Sequence, residues 1–93
     1  MTLDEALMFN GSDIEEYQKL IKKRQRYINE IKKLSNKIHD EDDSISVFNG
    51  KLNERDTELL NRHKEERQNL IEDRKIKQNL LDIINQQIGE MQR

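Results

Sequence analysis

A seven-residue apolar repeat runs through residues 13–38, DIEEYQKLIKKRQRYINEIKKLSNKI. Its apolar members keep the alternating three-and-four spacing of a coiled-coil seam: Ile14, Tyr17, Ile21, Ile28, Ile31 and Ile38. The polar run HDEDD at residues 39–43 interrupts the repeat. It then resumes at Leu52, Leu59, Leu70, Leu80 and Ile84. The pattern predicts two long amphipathic helices joined by a polar connection.

Capping and turn signals predict where these helices begin and end. Thr2–Glu5 and Ser12–Glu15 each place a hydroxyl residue three positions before a Glu, which is the pattern of a capping box. Asn49-Gly50 is a turn signal. The predicted segments are a short helix at about 2–9, a long helix at about 13–38, a turn within 39–50 and a long helix at about 51–91.

Composition restricts the fold further. Of the 93 residues, 39% are charged and 32% are hydrophobic, and the chain has neither proline nor cysteine. No position therefore forbids a helix interior, and disulfides are excluded. A two-helix hairpin buries little surface for each residue, so we expect self-association to stabilise it. The predicted fold class is all-α: a single domain over residues 1–93, forming a coiled-coil-like antiparallel helical hairpin with a short N-terminal helix and dimerising into a helical bundle.

The antiparallel hairpin is favoured over one continuous parallel rod. A rod would place five polar residues at successive core positions, namely Ser35, Asp42, Asn49, Asp56 and His63. Burying that many polar side chains is very costly. In the hairpin, a register that pairs Ile38 with Leu52 gives every apolar segment a partner. This predicted register also places Ile28 opposite His63.

A basic run at residues 22–26, KKRQR, is a candidate nucleic-acid site. Its cationic members are Lys22, Lys23, Arg24 and Arg26, and clustered cations near tyrosines are typical of nucleic-acid contacts. The predicted register places four acidic residues opposite this run: Glu65, Glu66, Glu72 and Asp73. Interhelical charge pairing is therefore the favoured interpretation. Binding of nucleic acid by the Lys19–Lys33 face is the alternative.

The chain offers no set of residues for metal binding or catalysis. If Asp40 began a calcium loop, the positions that require Gly and Glu would hold Ile45 and Lys51. Zinc would lack ligands, because there is no cysteine and the two histidines lie far apart in the predicted hairpin. A Gly-rich phosphate loop and a nucleophile with a base are also missing. We therefore expect no metal, no cofactor, no catalytic residue and no enzymatic activity.

The densest apolar stretch lies near the C-terminal end of the second long helix. Its doublets at 80–81 and 83–84 point in two directions around a helix, so one partner helix covers only part of it. An uncovered remainder is typical of an interaction site. The predicted dimer interface consists of Leu80, Leu81, Ile83, Ile84, Ile88 and Met91, together with Leu3 and Leu7.

These features predict a non-enzymatic protein–protein interaction module that acts as an assembly factor, an adaptor or a small inhibitor. Its expected partners are a second copy of the chain and an unidentified larger protein; the alternative is a nucleic-acid-binding helical dimer. No run approaches the roughly 18 apolar residues of a membrane span, and no signal peptide is visible. The expected location is therefore the cytoplasm, or the nucleus in a eukaryote, with no membrane partner.

Overall fold

Two long helices pack against each other along their lengths. The computed structural model describes residues 11–92, with side chains from residue 14 onward. Helix α1 spans Gly11–Ser46 and helix α2 spans Glu54–Met91, and these described residues contain no strand. The predicted all-α antiparallel hairpin is confirmed. The predicted short helix at about 2–9 lies outside the described residues.

The hairpin is a narrow rod of 66 × 17 × 16 Å, and its main apolar cluster extends from the open end toward the middle. In this cluster, Tyr17 and Tyr27 of α1 pack with buried apolar residues of α2, namely Leu81, Ile84 and Ile88. The amphipathic spacing of both helices brings these residues onto one facing seam. Neither described helix is long and apolar enough to cross a membrane.

Helix α1 is longer than the sequence pattern predicted. Its predicted end near Ile38 is too early, because the helix continues through the acidic run to Ser46, and the chain turns only in the last part of the predicted range of 39–50. Residues 39–46 contain neither proline nor glycine, so no backbone feature stops the helix there. The connection consists of residues 47–53.

The connection combines a short turn with a helix cap. The backbone N–H of Phe48 donates to the carbonyl of Ile45 at 3.1 Å, and Gly50 adopts a left-handed conformation with φ of 70°. Asn53 then caps α2, because its side-chain oxygen accepts from the backbone N–H of Asp56 at 2.8 Å. Helix α2 accordingly spans Glu54 onward, slightly later than the predicted start near residue 51.

Polar side chains along the seam fix the alignment of the two helices. The pairs that join α2 to α1 are His63 with Glu41, Arg67 with Asp42, Arg74 with Ser35, Lys77 with Glu30 and Gln92 with Tyr17. The predicted register, with Ile28 opposite His63 and Ile38 opposite Leu52, is therefore wrong. It matched apolar residues alone, whereas four of these central seam positions on α2 carry His, Arg or Lys.

Candidate interaction surface

One side of the hairpin carries a composite apolar surface, which we call the lateral face. Helix α1 contributes Leu20 and Leu34, which are half-buried. Helix α2 contributes Ile76, Leu80 and Ile83, which are 56%, 36% and 52% exposed. Large apolar side chains this exposed and this close in sequence are typical of a surface that another molecule covers.

The two helices present these residues on the same side of the rod. On α2, the spacing of three and four residues continues from Asp73 through Ile76, Leu80 and Ile83 to Gln87, so these five residues share one stripe. Asp73 lines a groove with Leu34, and Gln87 lines another with Leu20. Both ends of the α2 stripe therefore lie beside the apolar residues of α1.

Charged residues of opposite sign border the two edges of the lateral face. On α1, five cations follow a three-and-four spacing that only Glu30 interrupts, and they are Lys19, Lys23, Arg26, Lys33 and Lys37. On α2, Glu72 and Asp73 precede Ile76 by one helical turn, and Glu90 follows Ile83 by seven residues. The face thus has a basic edge on α1 and an acidic edge on α2.

The structure separates the residues of the predicted dimer interface into two groups. Leu81, Ile84 and Ile88 are 8%, 4% and 4% exposed because they pack against α1 of the same chain, and Met91 packs beside them. Leu80 and Ile83 point outward on the lateral face. Leu3 and Leu7 lie outside the residues whose structure is described.

The basic run occupies an outward surface of α1. Lys22, Lys23 and Arg26 are exposed and line one shallow groove with Lys19, whereas Arg24 is half-buried on the side that faces α2. Lys19 Nζ lies 3.9 Å from Glu15 Oε1, which is a weak exposed contact within one helix. The surface of the run is therefore available to an anionic partner.

The acidic residues predicted to neutralise this run lie elsewhere along the rod. Because Lys77 meets Glu30 and Gln92 meets Tyr17, residues 22–26 of α1 lie level with the part of α2 between those two positions. Glu65, Glu66, Glu72 and Asp73 all precede Lys77, toward the closed end. The predicted charge pairing with the basic run is wrong for this reason.

The acidic run at residues 39–43 contributes to packing between the helices. His63 Nδ1 lies 2.7 Å from Glu41 Oε2, and Arg67 Nε donates to the carboxylate of Asp42. His63 also lies beside Phe48, with ring centroids 6.2 Å apart. Across the described residues, no group of three or more histidine or acidic side chains is arranged to hold a metal ion.

Sequence reasoning did not identify Ile76 as part of a surface. Its signal is the spacing of Ile76, Leu80 and Ile83 at i, i+4 and i+7, which marks one face of a helix. The seven-residue repeat places Leu80 in the seam between the helices, and this placement hides the stripe. Leu81, one position later, takes the seam position and is buried.

Comparisons with protein-family models, with curated proteins and with solved structures found no match. The surface chemistry of the hairpin is therefore the guide to its function.

Proposed function

We propose that the chain is a non-enzymatic helical interaction module that serves as an assembly factor, an adaptor or a small inhibitor. The observation that carries this proposal is the lateral face, with Ile76, Leu80 and Ile83 exposed between a basic and an acidic edge. Burial of apolar surface is the main driving force for protein association, and charged borders select the partner and its orientation.

The packing of the hairpin supports a coiled-coil type of interaction. Seam residues of α2 follow a three-and-four alternation over Leu70, Arg74, Lys77, Leu81 and Ile84. The lateral face repeats that alternation one position away, over Asp73, Ile76, Leu80 and Ile83. A further helix can therefore pack on α2 by the geometry that α1 already uses.

Photo-crosslinking in the source cell tests this proposal. A photoreactive amino acid replaces Leu80 on the lateral face, and the matched control carries it at Val47, an exposed apolar residue in the connection. We expect the Leu80 position to give discrete crosslinked protein bands, either with another copy or with a different protein. The Val47 position should give few. Crosslinks only to nucleic acid, or equal protein crosslinking from both positions, would reject the proposal.

Nucleic-acid binding is a second candidate function, favoured by the register of the hairpin. The acidic residues predicted to cancel the charge of the basic run lie toward the other end of the rod, and Lys19, Lys22, Lys23 and Arg26 line one groove on α1. A row of cations along one helix can contact successive phosphates. Lys19, Lys23 and Arg26 also belong to the basic edge of the lateral face, so a change at the apolar residues of α2 is needed to test the two surfaces separately.

Fluorescence anisotropy with a labelled DNA or RNA duplex tests this second function. Binding through the run should weaken steeply as salt rises, because counterions are released from the phosphates. The triple change Lys22→Glu, Lys23→Glu and Arg26→Glu should abolish it, whereas Leu80→Glu should have little effect. Binding that is insensitive to salt, or unchanged in the triple variant, would exclude the run as the contact.

A further inference from the structure

We propose that the lateral face is covered by a second copy of this chain, and that the two hairpins form a symmetric four-helix bundle. This inference rests on the proposed function, since it names the protein that the face binds. It changes the interface that the sequence predicted, because Leu81, Ile84 and Ile88 are already buried within one chain. The contact is made instead by Leu20 and Leu34 of α1 and by the exposed apolar residues of α2, namely Ile76, Leu80 and Ile83.

The geometry of the hairpin suits a second copy of the chain as the binding partner. Two antiparallel helices that expose apolar residues from both members on one side form half of a four-helix bundle. In a two-fold dimer the same patch is used by both subunits, so the patch must be complementary to itself. The lateral face can meet this requirement, because its exposed apolar residues lie along one side of the 66 Å rod.

The charged edges select one of the two ways in which the faces can be stacked. A two-fold axis parallel to the rod places α1 of each copy on α2 of the other, and it leaves every residue at its own level along the rod. Lys33 and Lys37 line the same groove as Asp73, so these residues share a level within one chain. In the dimer, the two lysines of one copy therefore lie near Glu72 and Asp73 of the second copy, and opposite charges meet.

The other stacking is disfavoured by charge. A two-fold axis across the rod places α1 on α1 and α2 on α2, so the basic edge meets a basic edge and the acidic edge meets an acidic edge. Like charges placed opposite each other across an interface are destabilising. At the open end, Glu16 and Glu90 line one groove in each chain, so both helices carry an acidic residue there. The attraction between opposite charges of the two copies therefore arises nearer the middle of the rod.

The mass of the intact chain in solution tests whether a second copy covers the lateral face. The wild-type chain should sediment at twice its 11.2 kDa mass at micromolar concentration. The double change Ile76→Glu and Ile83→Glu should give the mass of one chain with its helical circular dichroism retained, because both residues are more than half exposed in the hairpin. The matched change Val47→Glu, at a residue 72% exposed in the connection, should leave the double mass unchanged.

The distance between the two closed ends tests the arrangement with a variant that leaves the helices intact. The chain has no cysteine, so Asn49→Cys in the connection carries one spin label in each copy. A two-fold axis parallel to the rod puts both connections at the same end. Since neighbouring helices lie roughly 8–10 Å apart, the labels should then be within about 30 Å. The crosswise arrangement would separate them by a distance approaching the 66 Å length of the rod.

The outcomes separate this inference from the proposed function. A single-chain mass for the wild type, or a long distance between the labels, would overturn the proposed dimer. If Leu80 then crosslinks to a different protein, the interaction module stands and only its occupant is wrong. If a monomeric chain gives no protein crosslinks at Leu80, both proposals fail.

Discussion

Tyr27 is a core residue of the hairpin whose ring also contacts two cations. It is buried in the core, yet Lys77 Nζ of α2 lies 5.6 Å from its ring centroid and the Arg26 guanidinium lies 5.2 Å from it. Lys77 Nζ is also 3.2 Å from Glu30 Oε2 of α1. One lysine therefore contacts both an aromatic ring and a carboxylate across the seam, which favours this register over its neighbours.

Replacing Lys77 by Met tests how much these contacts stabilise the fold. The change keeps an apolar stem but removes the cation, so Glu30 loses its ion-pair partner and Tyr27 loses a cation over its ring. Lys77 and Glu30 side chains are each 36% exposed, so solvent screens the pair. We expect the free energy of unfolding to fall by at most about 1 kcal/mol. Urea denaturation at a fixed protein concentration measures this loss.

Lys75→Met is the control for this experiment. Lys75 is exposed on the same helix, and its loss should change the free energy of unfolding by less than about 0.5 kcal/mol. A double-mutant cycle with Glu30→Gln isolates the coupling between Lys77 and Glu30. A coupling energy near zero, with equal effects at Lys75 and Lys77, would show that the pair does not set the register.

Asn53 makes two hydrogen bonds to the first turn of helix α2. Its side-chain oxygen accepts from the backbone N–H of Asp56, and its backbone carbonyl accepts from the Thr57 hydroxyl at 2.9 Å. Removing an N-cap side chain generally costs about 0.5–2 kcal/mol. Asn53→Ala should therefore lower the free energy of unfolding by about 1 kcal/mol. Thermal or urea denaturation checks this value, with Asn49→Ala in the same connection as the control. An equal loss in both variants would contradict a specific capping role.

The sequence was sufficient to predict the element types and the antiparallel arrangement, because the apolar repeat extends over many turns of each helix. The sequence was not sufficient to predict the residue at which α1 ends. The run from Asp40 to Asp43 has the composition of a solvated turn, but Glu41 and Asp42 contact His63 and Arg67 of α2 across the seam. Contacts between residues so distant in sequence leave no periodic signal in either helix alone.

The register of α1 against α2 was not predicted correctly for the same reason. Distances between spin labels can measure it. In the observed alignment, Lys32 lies near the level of Lys75, because Glu30 meets Lys77. Spin labels introduced at these two positions should therefore give a short distance. Labels at Lys32 and Glu58 should be separated by about 25 Å along the rod, since a helix rises about 1.5 Å for each residue. Dilution with unlabelled chain removes contributions between copies. A short distance for Lys32 and Glu58 would instead restore the register predicted from the sequence.

Helix α2 carries apolar residues on two surfaces, the seam against α1 and the lateral face. Leu81 and Ile84 join the core cluster with Tyr17 and Tyr27, whereas Leu80 and Ile83, each one position earlier, point outward. A shift of one residue rotates a side chain by about 100° around the helix, which is enough to move it from the seam to the lateral face. The doublets at 80–81 and 83–84 therefore serve folding and association separately.

Two matched double variants can separate folding from association. Leu81→Ala with Ile84→Ala removes two residues from the core of the hairpin, where each large-to-small change costs about 2–5 kcal/mol. A small hairpin has little stability to lose, so helical circular dichroism should collapse at every protein concentration. Leu80→Ala with Ile83→Ala removes the same residue types from the lateral face. Helicity should survive in this variant, and only the mass in solution should fall to that of one chain.

The contrast between these variants depends on position alone, because both exchange one leucine and one isoleucine three residues apart on α2. If both lose helicity to the same extent, folding and association are a single event and the hairpin has no independent stability. If the Leu80 and Ile83 variant keeps the wild-type mass, the lateral face does not hold the copies together. Retained helicity in the Leu81 and Ile84 variant would mean that the core of Tyr17, Tyr27 and Ile88 is sufficient to keep α1 and α2 together.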